Sequence, residues 1–183
     1  MVLYLGICFT VVTVLYIVVE GIRFRVNKEL TTIKFNKIIE KENLPIITLT
    51  NGETSFNFLV DSGSNASHFD INAMPLLKEY SKTNITSVGF VGAQSKDENT
   101  YEWINIPVYS NKQRYSDDFC LLDLKIPFKA IKEESGIVLH GILGVSFLKK
   151  YRFTLDFEEL KMYMKWYTLL VDSLDYLQIV LKL

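Results

Sequence analysis

The sequence predicts an all-β domain with minor helices, preceded by an N-terminal membrane-spanning helix. Three observations carry this reading. Short runs rich in β-branched and aromatic residues recur from Leu44 onward, turn residues separate them, and an uncharged apolar run opens the chain. The 183 residues give room for one domain of ordinary size and an appendage. A hydrophobic fraction of 49% and an aromatic content of 13% suit a packed core rather than disorder.

Met1 to Val19 contains no charged side chain. As a helix this run would be roughly 28 Å long, close to the hydrocarbon thickness of a bilayer. Residues 1–22 are therefore read as a single transmembrane anchor. A cleaved signal peptide fits less well, because no basic residue precedes the run and no small-x-small site follows it. Arg23, Arg25 and Lys28 come next, so the positive-inside rule places the remainder in the cytoplasm. Residues 23–43 mix charges with Leu30, Ile33, Phe35, Ile38 and Ile39, and read as a juxtamembrane connector that can partly pair into the domain.

The domain itself is assigned to residues 44–165. Ile46-Ile-Thr-Leu-Thr is a β-branched run, Asn51-Gly52 predicts a type I′ hairpin turn, and Ser55-Phe-Asn-Phe-Leu-Val resumes the strand. Further strands are expected at 86–91, 101–109, 118–124, 137–139, 153–157 and 161–165, with short helices at 72–80 and 145–151. So many short strands argue for a closed or partly closed β domain. In the tail, residues 166–183, Trp166, Leu170, Leu174, Leu177 and Leu181 recur at helical spacing and predict an amphipathic helix.

Several function classes drop out. A net charge of −1 without a basic run gives no electrostatic case for nucleic acid. Cys8 and Cys120 make no disulfide framework, and with only His68 and His140 beside them no metal-ligand spacing arises.

The stretch Phe58-Leu-Val-Asp-Ser-Gly-Ser brings an apolar strand to an aspartate, then a small hydroxyl and a glycine. Glycine permits a tight turn and close approach of a second chain. The Ser62 hydroxyl can bond inward and fix the loop, leaving the Asp61 carboxylate rigid and facing a symmetry mate. Two carboxylates within about 3 Å cannot both ionise and share one proton. One then serves as general base on a water while the other donates to a carbonyl. Taken alone, Asp-Ser-Gly is also the composition of an ordinary turn.

Further along, His140-Gly-Ile-Leu-Gly-Val-Ser-Phe-Leu-Lys-Lys-Tyr precedes Phe153-Thr-Leu-Asp-Phe. Together the two segments resemble the retropepsin-like aspartic protease family over roughly residues 44–165. The resemblance implies a retropepsin-like acid-protease β-barrel in which the apolar-apolar-Gly segment crosses behind the Asp-Ser-Gly loop. It implies Asp61 as catalytic residue, with Ser62 and Gly63 in the active-site loop and Ser64 and Asn65 towards substrate. A flap between Val88 and Trp103 would add Val91, Gly92 and Ala93 to the substrate contacts. Asn65, Val145 and Ser146 depart from residues frequent in viral or cellular members, which leaves substrate preference open.

Only one such string occurs, since Asp123-Leu-Lys and Asp156-Phe-Glu lack the turn glycine. A dyad therefore requires a second copy, and the expected assembly is a two-fold homodimer with the site on its axis. The expected activity is cleavage of an extended peptide or protein by activated water, without metal or cofactor. A catalytically inactive module of the same fold, which dimerises or binds peptide, is the competing reading. Asn65 and Asn84 both head glycosylation sequons, and a glycan on Asn65 would obstruct the loop, in line with a cytoplasmic domain.

Overall fold

The computed structural model describes residues 14–16, 18–22, 31–35, 37–38, 44–83 and 101–164. Its strands are β1 (Thr32–Lys34), β2 (Lys37–Ile38), β3 (Pro45–Asn51), β4 (Thr54–Val60), β5 (Ser67–Asp70) and β6 (Ser81–Lys82). They continue as β7 (Trp103–Ser110), β8 (Gln113–Leu122), β9 (Gly141–Leu143), β10 (Phe153–Asp156) and β11 (Lys161–Met164). Two helices, α1 (Lys125–Ser135) and α2 (Val145–Lys150), and a 3-10 turn at Ile71–Leu76 accompany these strands.

The main sheet runs β2-β3-β4-β9-β5-β8-β7-β6, and Thr50 of β3 also pairs with Tyr109 of β7. That contact closes the strands from β3 round to β7 into a barrel. Period-two alternation explains which side chains fill it. Phe56, Phe58 and Val60 of β4 point inward with Phe69 of β5 and Phe119 of β8. The rings of Phe58 and Phe119 lie 5.8 Å apart and those of Phe56 and Phe69 5.7 Å apart, in tilted contact. A second apolar cluster lies outside the barrel wall, where Leu124, Phe128, Ile137 and Leu139 pack with Ile46, Leu59 and Ile142.

A smaller sheet, β1-β11-β10, joins the two ends of the domain. Ile33 and Phe35, which the sequence places in the connector, are buried in the main core beside Met162. The connector thus contributes core residues at least at these two positions.

Local structure departs from expectation in instructive ways. Asn51 and Thr54 face each other in the ladder, so the first hairpin turns on Gly52-Glu53 rather than Asn51-Gly52. Gly52 alone has positive φ there, at 60°, which excludes a type I′ turn. Asn51 is instead fully buried. Its amide donates to the carbonyls of Glu79 and Pro107 and its oxygen accepts from the backbone N–H groups of Lys78 and Glu79. Four satisfied bonds outcompete a turn position for this side chain. A two-residue turn with both φ positive occurs elsewhere, at Asn111-Lys112, between β7 and β8.

The strand expected at 137–139 is not one. Ile137 and Leu139 are buried and Val138 is exposed, an extended alternation, but the Val138 carbonyl is taken by the Asn57 side chain at 2.9 Å. Pairing begins at Gly141. The helix expected at 72–80 is a 3-10 turn containing Pro75. β5 and α1 are absent from the sequence reading. The described helical residues at 14–16 and 18–22 expose Val14, Leu15, Tyr16, Val18, Val19 and Ile22. Among the described residues no helix is long and apolar enough to cross a membrane. Most of the expected anchor, the flap residues Val91, Gly92 and Ala93, the strand at 86–91 and the tail at 166–183 lie outside the described residues.

Candidate active site

Asp61 follows β4 directly, and its backbone N–H donates to the Leu143 carbonyl at 3.0 Å. The parallel ladder between β4 and β9 therefore continues one step past the strand and fixes the aspartate's position. The side chain is half-buried, and its Oδ1 accepts the Gly63 N–H at 2.8 Å. A carboxyl oxygen held by a backbone amide keeps one orientation. The φ of Gly63 is not left-handed. Space is what glycine supplies here, because a Cβ would stand 3.1 Å from Asp61 Oδ1.

The loop from Asp61 to Ala66 joins β4 to β5, yet those strands are not neighbours. β9 lies between them, parallel to β4 and antiparallel to β5. The segment after β9 then passes behind the loop. Val145 N–H donates to the Ser64 carbonyl at 2.7 Å and Ser146 N–H to that of Asn65 at 3.1 Å. Amides that open α2 are thus spent on the loop's own carbonyls.

Beneath the loop sits a buried polar cluster that the sequence did not announce. Asp117, only 6% exposed, accepts from Ser67 Oγ at 2.6 Å and Ser146 Oγ at 2.9 Å. Ser67 Oγ in turn accepts the Gly144 N–H at 3.2 Å. One carboxylate therefore ties β5, β8 and the β9–α2 junction together. The signal existed in the sequence, because Tyr115, Asp117 and Phe119 share the inward phase of β8.

Ser62 is exposed, and its side chain has no hydrogen-bond partner among the described residues. The hydroxyl that bonds within the loop is that of Ser64, which donates to the Ala66 carbonyl at 2.8 Å. Asn65 is exposed. His68 Nε2 lies 3.1 Å from Ser64 Oγ, which makes this histidine part of the loop's support rather than an isolated residue. Burial pushes the His68 imidazole below its usual 6.5, against the raising pull of Asp61. Burial also lowers His140, outweighing the opposing pulls of the Asn57 backbone and Asp70.

Other acids serve the scaffold. Asp123 Oδ1 accepts the Lys125 N–H at 3.1 Å, Asp156 Oδ1 the Glu159 N–H at 2.9 Å, and Asp70 Oδ1 caps the 3-10 turn through Asn72 N–H. Asp61 Oδ1 likewise accepts a local amide, that of Gly63, but on the loop between β4 and β5 that the segment after β9 backs. Among the described residues no cluster of His, Cys, Asp or Glu could hold a metal ion.

A closed β-barrel bearing an Asp-Ser-Gly loop, backed by the segment that follows β9, resembles a retropepsin-like aspartic protease domain. Solved structures similar to the chain are of that kind. EIAV protease in complex with the inhibitor HBY-793 is 20% identical at a TM-score of 0.39, covering 60% of this chain and 88% of that one. The retroviral protease-like domain of Ddi1 from Leishmania major is 15% identical at 0.41, covering 67% and 88%. A retropepsin-like aspartic protease from Rickettsia conorii is 15% identical at 0.42, covering 72% and 87%. No family model and no curated protein matches the sequence.

Proposed function

We propose that this protein is an aspartic endopeptidase whose site is completed by a second copy of the chain. One observation carries the reading. Asp61 is held by the Gly63 amide on a loop buttressed from behind, while the neighbouring acids Asp70, Asp117 and Asp123 are occupied with structural hydrogen bonds. A lone rigid carboxylate gains hydrolytic chemistry when paired with its symmetry mate, because the pair then shares one proton. The pair titrates as a unit. One member draws a proton from water as the other protonates the scissile carbonyl oxygen. Exposed Ser62 is proposed to bond across the two-fold axis, and Ser64, Asn65, Val91, Gly92 and Ala93 to border an extended peptide bound as an added strand.

The apolar run at residues 1–22 is proposed to anchor the protein by a single pass, with the protease domain in the cytoplasm. Confinement to a membrane raises the effective concentration of copies and favours dimers.

The decisive experiment converts Asp61→Asn in the full-length chain. Cleavage of a randomised peptide pool, read by mass spectrometry, should fall by at least about 10²–10⁴-fold, the usual contribution of a general acid–base group. Dimerisation should persist. Equal cleavage by the variant would remove the protease assignment, and a wild-type dimer that cuts nothing would favour the peptide-binding module.

A further inference from the structure

His68, in β5, is tied to the Asp61 loop by a hydrogen-bond pattern that fixes its tautomer. The Ser64 hydroxyl has one proton and gives it to the Ala66 carbonyl at 2.8 Å. His68 Nε2, at 3.1 Å from the same oxygen, must then be the donor. The lone pair falls on Nδ1, which is buried and meets no hydrogen-bond partner. A second proton there would find no acceptor, a costly state for a buried N–H.

The surroundings of the ring are equally definite. From the loop, Asp61 is the charge that acts on it. From β8, Cys120 stands opposite His68 in register, its thiol pushed up to about 11 by burial and therefore neutral. From β9, Ile142 stands opposite and carries no titratable group.

We propose that His68 is a positioning residue for Asp61, bracing the loop through a neutral relay from Nε2–H to Ser64 Oγ to the Ala66 carbonyl. The proposal rests on the reading of Asp61 as the catalytic carboxylate. Burial keeps the imidazole uncharged near neutral pH. Protonation at lower pH puts a second proton on Nδ1, where no acceptor meets it, and so disfavours the braced arrangement of the ring. His68 thereby contributes to the acid-side decline of cleavage.

Two measurements on the full-length chain in detergent micelles test this. In nitrogen-15 spectra the His68 ring should carry its proton on Nε2 with Nδ1 bare, and should titrate below 6.5. Asp61→Asn should lower that midpoint further, because the opposing charge is gone. In the peptide-pool assay, His68→Val should reduce kcat about tenfold with KM unchanged, the equivalent of one lost hydrogen bond. His68→Gln, which offers an amide N–H close to the Nε2 position, should restore most of that loss and flatten the acid limb of the pH profile. A proton on Nδ1, or a midpoint indifferent to Asp61→Asn, would overturn the proposal. So would a valine variant with wild-type kcat and pH profile. The ring measurements need no turnover, so an inactive wild-type protein would defeat the protease reading while leaving the coupling of His68 to Asp61 decided on its own.

Discussion

Gly144 lies so close to Ala66 that the Cβ it lacks would stand 2.1 Å from the Ala66 carbonyl oxygen and 2.8 Å from that of Ser64. Both atoms are backbone, so neither can swing aside as a side-chain end would. The contact is what lets β9 pass behind the Asp61 loop, and it makes Gly144 a packing requirement of the site. Gly144→Ala should destabilise the fold by about 1–3 kcal/mol or more through overpacking, seen as a lower urea midpoint. Cleavage should be lost in the fraction that still folds, since the loop must move to make room. A variant with unchanged stability and turnover would refute the tight crossing.

Asp117 offers a complementary test from beneath. Asp117→Ala removes the acceptor shared by the Ser67 and Ser146 hydroxyls, which then have only each other at 3.3 Å, so one donor is left unsatisfied at a cost of about 1–3 kcal/mol. Asp117→Asn keeps an acceptor oxygen and should lose less. Urea unfolding of the two variants gives the order, and equal midpoints would show that the cluster adds nothing to stability.

The two histidines predict a pH dependence of stability. Both are lowered from 6.5 in the fold, chiefly by burial. The unfolded chain then takes up protons first as the pH falls, so the stabilising contribution is complete above 6.5 and declines below it through the folded midpoints. Urea midpoints compared between pH 8 and pH 5 should drop on the acid side. His140→Asn should shallow the slope, and an unchanged slope in a variant lacking both imidazoles would contradict this origin.

Specific activity should depend on protein concentration. If two copies build one site, activity per milligram falls on dilution below the dimer dissociation constant, and total activity approaches a square dependence on total protein. A constant specific activity down to wholly monomeric protein, as judged by sedimentation, would contradict a shared site.

Much of the barrel could be read from the sequence, and the exceptions have physical causes. Strands with a clean apolar alternation, such as Phe56, Phe58 and Val60, are where expected because one face must meet the core. β8 begins at Gln113, before the expected 118, because the polar residues 113–118 alternate with buried Tyr115 and Asp117, and a buried aspartate disguises the pattern. β5 escaped because Ser67-His-Phe-Asp has only one apolar residue, its other side chains serving the polar cluster and the turn. α1 escaped because Pro127 suggests a break, although proline is tolerated in a first turn and Gly136, at φ 74°, is an ordinary left-handed C-terminal cap. At the candidate site, Asp61 and Gly144 were legible from local strings. The supporting roles of His68, Ser67 and Asp117 were not, since each depends on a partner distant in sequence or on the direction of a ring.

The short sheet that joins β1 to β11 and β10 bears on how the domain can be cut free. Ile33 pairs with Met162, and both side chains are buried at 3% and 0% exposure. A recombinant fragment starting at Leu44 would omit β1, β2 and two core side chains, leaving Met162 bare and inviting clumping through the vacated edges. Trimming should therefore stop ahead of Thr31, and the solubility of fragments beginning on either side of that residue should differ sharply.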